Sequence, residues 1–250
     1  MLFNIILATF LTSIVSLLLV SLLLLHKTLM QKISFPLVAF AAGALLAIGF
    51  LETMREAVNL GGEQVYLWVT LSIAGFFVLE RVFLFLHHHS HVEKKEEKEH
   101  LKMPTSLLLF GDGLHNFIDG LSIAAAFLVN FQLGIITTIA VFVHEIPHEL
   151  ADFGILIHKG WERKKVILLN SLSGVTAIIG AVLAYYLGNS FSDILPLFLA
   201  ITSGNFIYLS ATDLLPEIHH KADKDLAINY SFFFILGIFL IYALIKLVGE

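Results

Sequence analysis

The sequence predicts an all-α fold, a polytopic membrane protein of eight transmembrane helices in a 3+2+3 arrangement. Three spans lie on either side of a central pair, and the outer triplets are related as an inverted repeat. Three observations predict it. Of 250 residues, 58% are hydrophobic and 14% charged, more apolar surface than a water-soluble core buries. The apolar residues gather into runs of roughly 20, the length of helix that crosses a hydrocarbon core. Lysine and arginine concentrate in alternate connections between those runs.

The spans are justified in order. Span one covers 2–25, too long for the apolar region of a signal peptide and without a basic start, so it is expected to be retained. Span two covers 34–57 and carries Glu52 and Glu56 near its end; span three covers 65–87. A mixed-charge loop at 88–103 follows, and His87, His88, His89 and His91 make its start either a weak metal-binding tract or a solvated linker. Spans four (104–129) and five (132–157) are joined by a short turn at Asn130, so they must be antiparallel neighbours. Span six (165–188) holds Asn170, Ser171, Ser173 and Thr176. Span seven (192–218) holds Asp213 and Glu217, and span eight covers 227–248. Glycine and proline inside these runs are compatible with membrane helices.

Orientation follows from charge. Connections after spans one, three, five and seven contain Lys27, Lys32, Lys94, Lys95, Lys98, Lys102, Lys159, Arg163, Lys164, Lys165, Lys221 and Lys224, against little beyond Arg55 and Lys246 opposite. The lysine-rich side is therefore expected to be cytoplasmic, with both termini outside. The net charge of -5 decides nothing further, and no basic stripe or nucleic-acid motif appears, so no nucleic-acid partner is expected. With no cysteine, a metal must be held by nitrogen and oxygen.

The central pair carries the chemistry. Asp112, His115, Asn116 and Asp119 are three or four apart and make one polar stripe on span four. His144, Glu145, His148 and Asp152 do the same on span five. Both stripes fall near the midplane, where ionisable groups are costly and mark function. Imidazoles and carboxylates together suit one first-row divalent ion, or two that share Asp119 and His148. Pro147 removes a helical N–H and should free the carbonyl of Val143. A polar network holding helices together explains one such residue, not a set of this size.

Spans two and seven match weakly. From Gly43 the acids follow at Glu52 and Glu56, and from Gly204 they follow at the same offsets, at Asp213 and Glu217. Because the spans are antiparallel, the pairs fall at opposite mouths of a cation path, although acids also simply end helices at the water interface.

The motifs GDGLHNFIDGLSIAAAF (Gly111 to Phe127), HEIPHELADFGIL (His144 to Leu156) and LSATDLLPEI (Leu209 to Ile218) together resemble the ZIP family of divalent metal transporters, in its histidine-rich LIV-1-like branch. The resemblance covers most of the chain and implies that 1–250 is a single transmembrane transport domain. It also implies a binuclear site, with His115, Asp119, His144 and His148 on one metal and Asn116, Asp119, Glu145 and His148 on the other. It implies dimers and one set of helices sliding against a static set. Some relatives place a carboxylate in span six, where this chain has only amide and hydroxyl residues. His144 resembles zinc-preferring members. No large extracellular N-terminal domain of the animal type is expected here.

The function expected is movement of divalent metal ions, Zn²⁺ foremost, toward the cytoplasm, with the metal as cargo rather than cofactor and no enzymatic reaction. The ion would enter near Glu52, be held by His115, Asn116, Asp119, His144, Glu145 and His148, and pass Asp112 toward Asp213 and Glu217. A homodimer in the lipid bilayer of the plasma membrane is the expected setting. The alternative is an intramembrane zinc metalloprotease, since His144-Glu145-Ile146-Pro147-His148 is a literal H-E-x-x-H. Against it, Asp119-Gly120 precedes that motif, whereas the Asp-Gly ligand of such proteases follows it, and hydrolysis has no use for His115 and Asn116. A metal sensor without flux would use the same ligands; acids at both mouths favour a through-path.

Overall fold

A computed structural model describes residues 1–23, 27–88, 105–190, 192–221 and 224–248. Apart from its first residue, the loop expected over 88–103 lies outside the described residues. Among the described residues the regular structure is helical throughout. The helices are α1 (Leu2–Leu23), α2 (Lys27–Ile48), α3 (Met54–Gly61), α4 (Gln64–His88) and α5 (Thr105–Val129). They continue with α6 (Phe131–His158), α7 (Arg163–Ser190), α8 (Leu195–Leu209), α9 (Leu215–Lys221) and α10 (Lys224–Val248). The eight expected spans map onto these elements, because α2 with α3 and α8 with α9 each form one rod.

Seven of the rods are long and apolar enough to cross a membrane. The eighth, α5, has the length, but Asp112, His115, Asn116 and Asp119 dilute its apolar character. The apolar residues left on the outside form lengthwise stripes. On α7, Leu168, Leu172, Val175, Ile179 and Leu183 are all exposed, and α10 shows Ile228, Phe232, Ile235 and Phe239 in the same way. Patches of that extent are unfavourable in water and suit contact with acyl chains.

Each of the two composite rods is joined through one turn of π-helix, Gly49–Thr53 between α2 and α3 and Ser210–Leu214 between α8 and α9. The shift in numbering that carries Gly43 onto Gly204 carries the first π-turn onto the second. It also carries Glu52 onto Asp213. The packing obeys the same exchange: α2 lies along α10 and α8 lies along α4, while α5 packs on α7 and α6 on α1. Spans two and seven touch each other at the crossing between these halves. This is the geometry of the inverted repeat expected from the acid spacing.

Small residues set the closest approaches. A Cβ built on Gly120 would stand 1.8 Å from the carbonyl oxygen of Ala177, and one on Gly180 would stand 2.0 Å from that of Phe117. Only glycine lets α5 and α7 meet at this distance. Gly43 and Gly237 do the same for α2 and α10, facing the carbonyls of Phe234 and Phe40. At the turn between α5 and α6, Asn130 caps the second helix through its Oδ1, which accepts from the Leu133 N–H at 2.7 Å. That cap holds the central pair antiparallel and sets the depth at which their stripes meet.

Candidate metal site

The stripes on α5 and α6 face one another. His115, Asp119, His144 and Glu145 each offer one ligand atom, and the four atoms lie within 4.8 Å of one another. His144 Nε2 stands 2.9 Å from Asp119 Oδ2 and 3.2 Å from His115 Nε2. His115 Nε2 lies 3.5 Å from Asp119 Oδ2 and 3.4 Å from Glu145 Oε1, and His144 Nε2 lies 4.0 Å from the same Glu145 oxygen. Ligands bound about 2.0–2.1 Å from a tetrahedral zinc ion stand about 3.3 Å from each other. The observed spacings bracket that value.

The surroundings orient the ligands. His144 is fully buried, and its Nδ1–H donates to the Ala140 carbonyl at 3.1 Å. That bond leaves Nε2 to carry the lone pair toward the cluster. Asp119 and Glu145 are each 2% exposed. Two carboxyl groups so deeply buried beside two imidazoles are a donor set that a dication would suit. Asp119 Oδ1 and Glu145 Oε1 have no hydrogen-bond donor.

His148 and Asn116 hold different positions from those four. The His148 ring stacks on His115 with centroids 4.7 Å apart, and its Nε2 is buried without a hydrogen-bond partner. α6 runs unbroken through Pro147, so His144 and His148 stay on neighbouring turns, their rings nearly perpendicular at 5.9 Å. Asn116 turns its amide away: Nδ2 donates to Asp112 Oδ1 at 2.9 Å, to the Asp112 carbonyl at 3.1 Å and to Ser173 Oγ at 3.4 Å. Ser173 of α7 therefore meets the Asn116 amide from the neighbouring helix. Thr176 of α7 donates to the Gly113 carbonyl, which fastens that helix to α5.

Outside the cluster, Glu52 is buried on the π-turn, and both its oxygens accept from Arg55 Nη2, at 2.8 and 2.7 Å. Its symmetry counterpart Asp213 is exposed, as is Glu217. Glu149, beside His148 in the motif, is buried with Oε2 lacking a donor, a residue that ligand spacing alone does not single out. No feature of this arrangement favours hydrolysis over ion binding.

Comparison with known proteins agrees with the site. The family model described as ZIP zinc transporter matches residues 87–245. The chain is 36% identical over 152 residues to the zinc transporter ZIP6 of Homo sapiens, covering 60% of this chain and 20% of that protein. To the zinc transporter ZIP10 of Mus musculus it is 45% identical over 114 residues, covering 46% of this chain and 14% of that one. To the zinc transporter foi of Drosophila melanogaster it is 44% identical over 118 residues, covering 46% and 17%. The chain thus matches a fifth or less of the length of these relatives. With the family model matched over more than half its length and the family's paired motifs meeting in one buried cluster, the chain belongs to the ZIP zinc transporter family.

Proposed function

We propose that this chain moves divalent metal ions, Zn²⁺ foremost, through the membrane toward the cytoplasm. The observation that carries the reading is the convergence of His115, Asp119, His144 and Glu145 in a buried cluster between two apolar helices. Two imidazoles and two carboxylates suit Zn²⁺ better than Mg²⁺ or Ca²⁺, which take oxygen shells. His148 joins by a side-chain rotation, which its unpartnered Nε2 favours, and Asn116 joins on the side of Asp112 and Ser173.

Access on either side runs past the acids of the repeat, Glu52 at one mouth and Asp213 and Glu217 at the other, with Asp112 between the site and the second mouth. The lysine-rich connections favour a cytoplasmic second mouth with both termini outside, and the plasma membrane is the setting proposed. The full chain 1–250 acts as one transport domain and pairs with a second copy.

The test is uptake of radiolabelled zinc into proteoliposomes by wild type, Asp119→Ala and His144→Ala. Flux by wild type that falls at least a hundredfold in both variants, with unchanged thermal unfolding, is the expected result. Flux that survives the loss of Asp119 overturns the site.

A further inference from the structure

The turn between α6 and α7 is held in one shape by its backbone. The Trp161 N–H donates to the Leu156 carbonyl at 3.1 Å and the Gly160 N–H to that of Ile157 at 2.9 Å, with Gly160 at a φ of 82°. These are the paired bonds of a Schellman motif, whose left-handed position glycine takes without strain. The motif folds the Trp161 ring back onto the apolar cluster that contains Phe153, Leu156 and Val166. One helical turn further on, the Lys165 ammonium lies over that ring, 4.2 Å from its centroid.

Arg163, Lys164 and Lys165 open α7 and are all exposed, with half-buried Lys159 just before them and Glu162 the one acid in the stretch. Below these bases an apolar ridge runs along the same helix. Lys164 shares its face with Leu168, Leu172 and Val175, at steps of four, four and three residues, and all three leucine and valine side chains are exposed. From Lys164 to Val175 the helix rises about 16 Å, close to half of the roughly 30 Å hydrocarbon core. A soluble anion uses the bases and has no use for the ridge. A molecule with a negative head and a hydrocarbon tail one leaflet long complements both.

We infer that the α6–α7 turn and the first turns of α7 are a binding surface for an acidic phospholipid, its phosphate met by Arg163 and Lys164 and its acyl chain laid along Leu168, Leu172 and Val175. Trp161 sets the level of the headgroup, as tryptophan does at membrane surfaces, and keeps Lys165 beside it. Acidic lipids populate the cytoplasmic leaflet, the side proposed for the lysine-rich connections. The turn ends α6, the helix of His144 and Glu145, so the bound lipid fixes the depth of the helix that carries them. The inference goes beyond the transport reading and needs no flux.

The chain has two tryptophans, Trp68 and Trp161, so full-length Trp68→Phe reports from Trp161 alone. The experiment reconstitutes this variant in phosphatidylcholine vesicles holding a rising fraction of phosphatidylglycerol brominated on its acyl chains, which quenches tryptophan on contact. Brominated phosphatidylcholine is the reference. The acidic lipid is expected to quench at a lower mole fraction than the reference, by about fivefold for each base engaged. Arg163→Gln with Lys164→Gln should remove the preference, and Arg163→Lys with Lys164→Arg should keep it. Should Trp68→Phe fail to fold, the difference between wild type and Trp161→Phe reads the same ring. Equal quenching by the two lipids, or a preference that survives the glutamine variant, overturns the inference. So does a preference abolished by inorganic phosphate but not by chloride of equal ionic strength, which would make the occupant a soluble anion. Failure of zinc uptake into proteoliposomes strikes the transport reading alone, because the quenching is read without metal.

Discussion

The Ser203 hydroxyl of α8 donates to the Gly49 carbonyl at the first π-turn, 3.0 Å away. The Ser210 hydroxyl at the second π-turn donates to the Ala42 carbonyl of α2 at 2.8 Å. Under the exchange that carries Gly43 onto Gly204, Ser203 matches Ala42 and Ser210 matches Gly49, so the two bonds are mates across the repeat. The two bonds join matched positions with donor and acceptor exchanged: the first acceptor, Gly49, opens the first π-turn, whereas the second, Ala42, lies on the regular part of α2. Ser203→Ala and Ser210→Ala should therefore destabilise by similar amounts, roughly 0.6 kcal/mol each, the average for such bonds within membranes. Thermal unfolding in detergent reads this; a large cost for one and none for the other would contradict the exchange.

Gly120 sits one residue from Asp119 and presses against α7. Alanine there must push the Ala177 carbonyl away, since backbone cannot yield as a side chain does. Overpacking costs roughly 1–3 kcal/mol, and the displacement reaches the carboxylate that bridges the cluster. Gly120→Ala is expected to lower both thermal stability and zinc affinity. Gly113→Ala is the control on the same helix, its nearest contact being Thr176 Cγ2 at an ordinary 3.7 Å, and should change neither. Equal behaviour of the two would mean that α5 and α7 are not locked at Gly120.

The spans were legible because each demands a long apolar run, and the stripes because helical spacing is fixed. Helical spacing names a face, however, not the reach of each side chain. It groups His148 with His144, yet the ring of His148 stacks on His115 with its Nε2 outside the ligand cluster. The π-turns leave no compositional mark, since one extra residue per turn changes no side chain. Only the matched acid offsets hinted that spans two and seven share an irregularity. The clasp of Arg55 on Glu52 was open to reading from their spacing of three. Ser173 against Asn116 depends on packing between distant helices and could not be read.

Protons compete with metal for imidazole. The ordinary histidine value is about 6.5, and only the neutral ring binds. Zinc affinity should therefore fall as the solution is acidified, and fall more steeply the more histidines are engaged. Isothermal titration between pH 7.5 and 5.5 measures it, and His115→Ala should make the fall shallower. An affinity equal at pH 5.5 and 7.5 would remove the histidines from the site.

Glu52 gives the clearest test of the mouth. Both its oxygens accept from Arg55, whose side chain is 56% exposed. Glu52 is buried but its partner guanidinium is open to water, so an arriving dication can displace it. On the proposed path Arg55 would then compete with the ion for Glu52. Arg55→Gln should lower the apparent KM for zinc uptake a few-fold at low ionic strength, with the advantage fading as salt screens the acid. Glu52→Gln should raise KM and leave the maximal rate unchanged, because it alters capture and not the site at midplane. If neither substitution moves KM, the path does not pass Glu52, and the acid serves only to hold Arg55 at the π-turn.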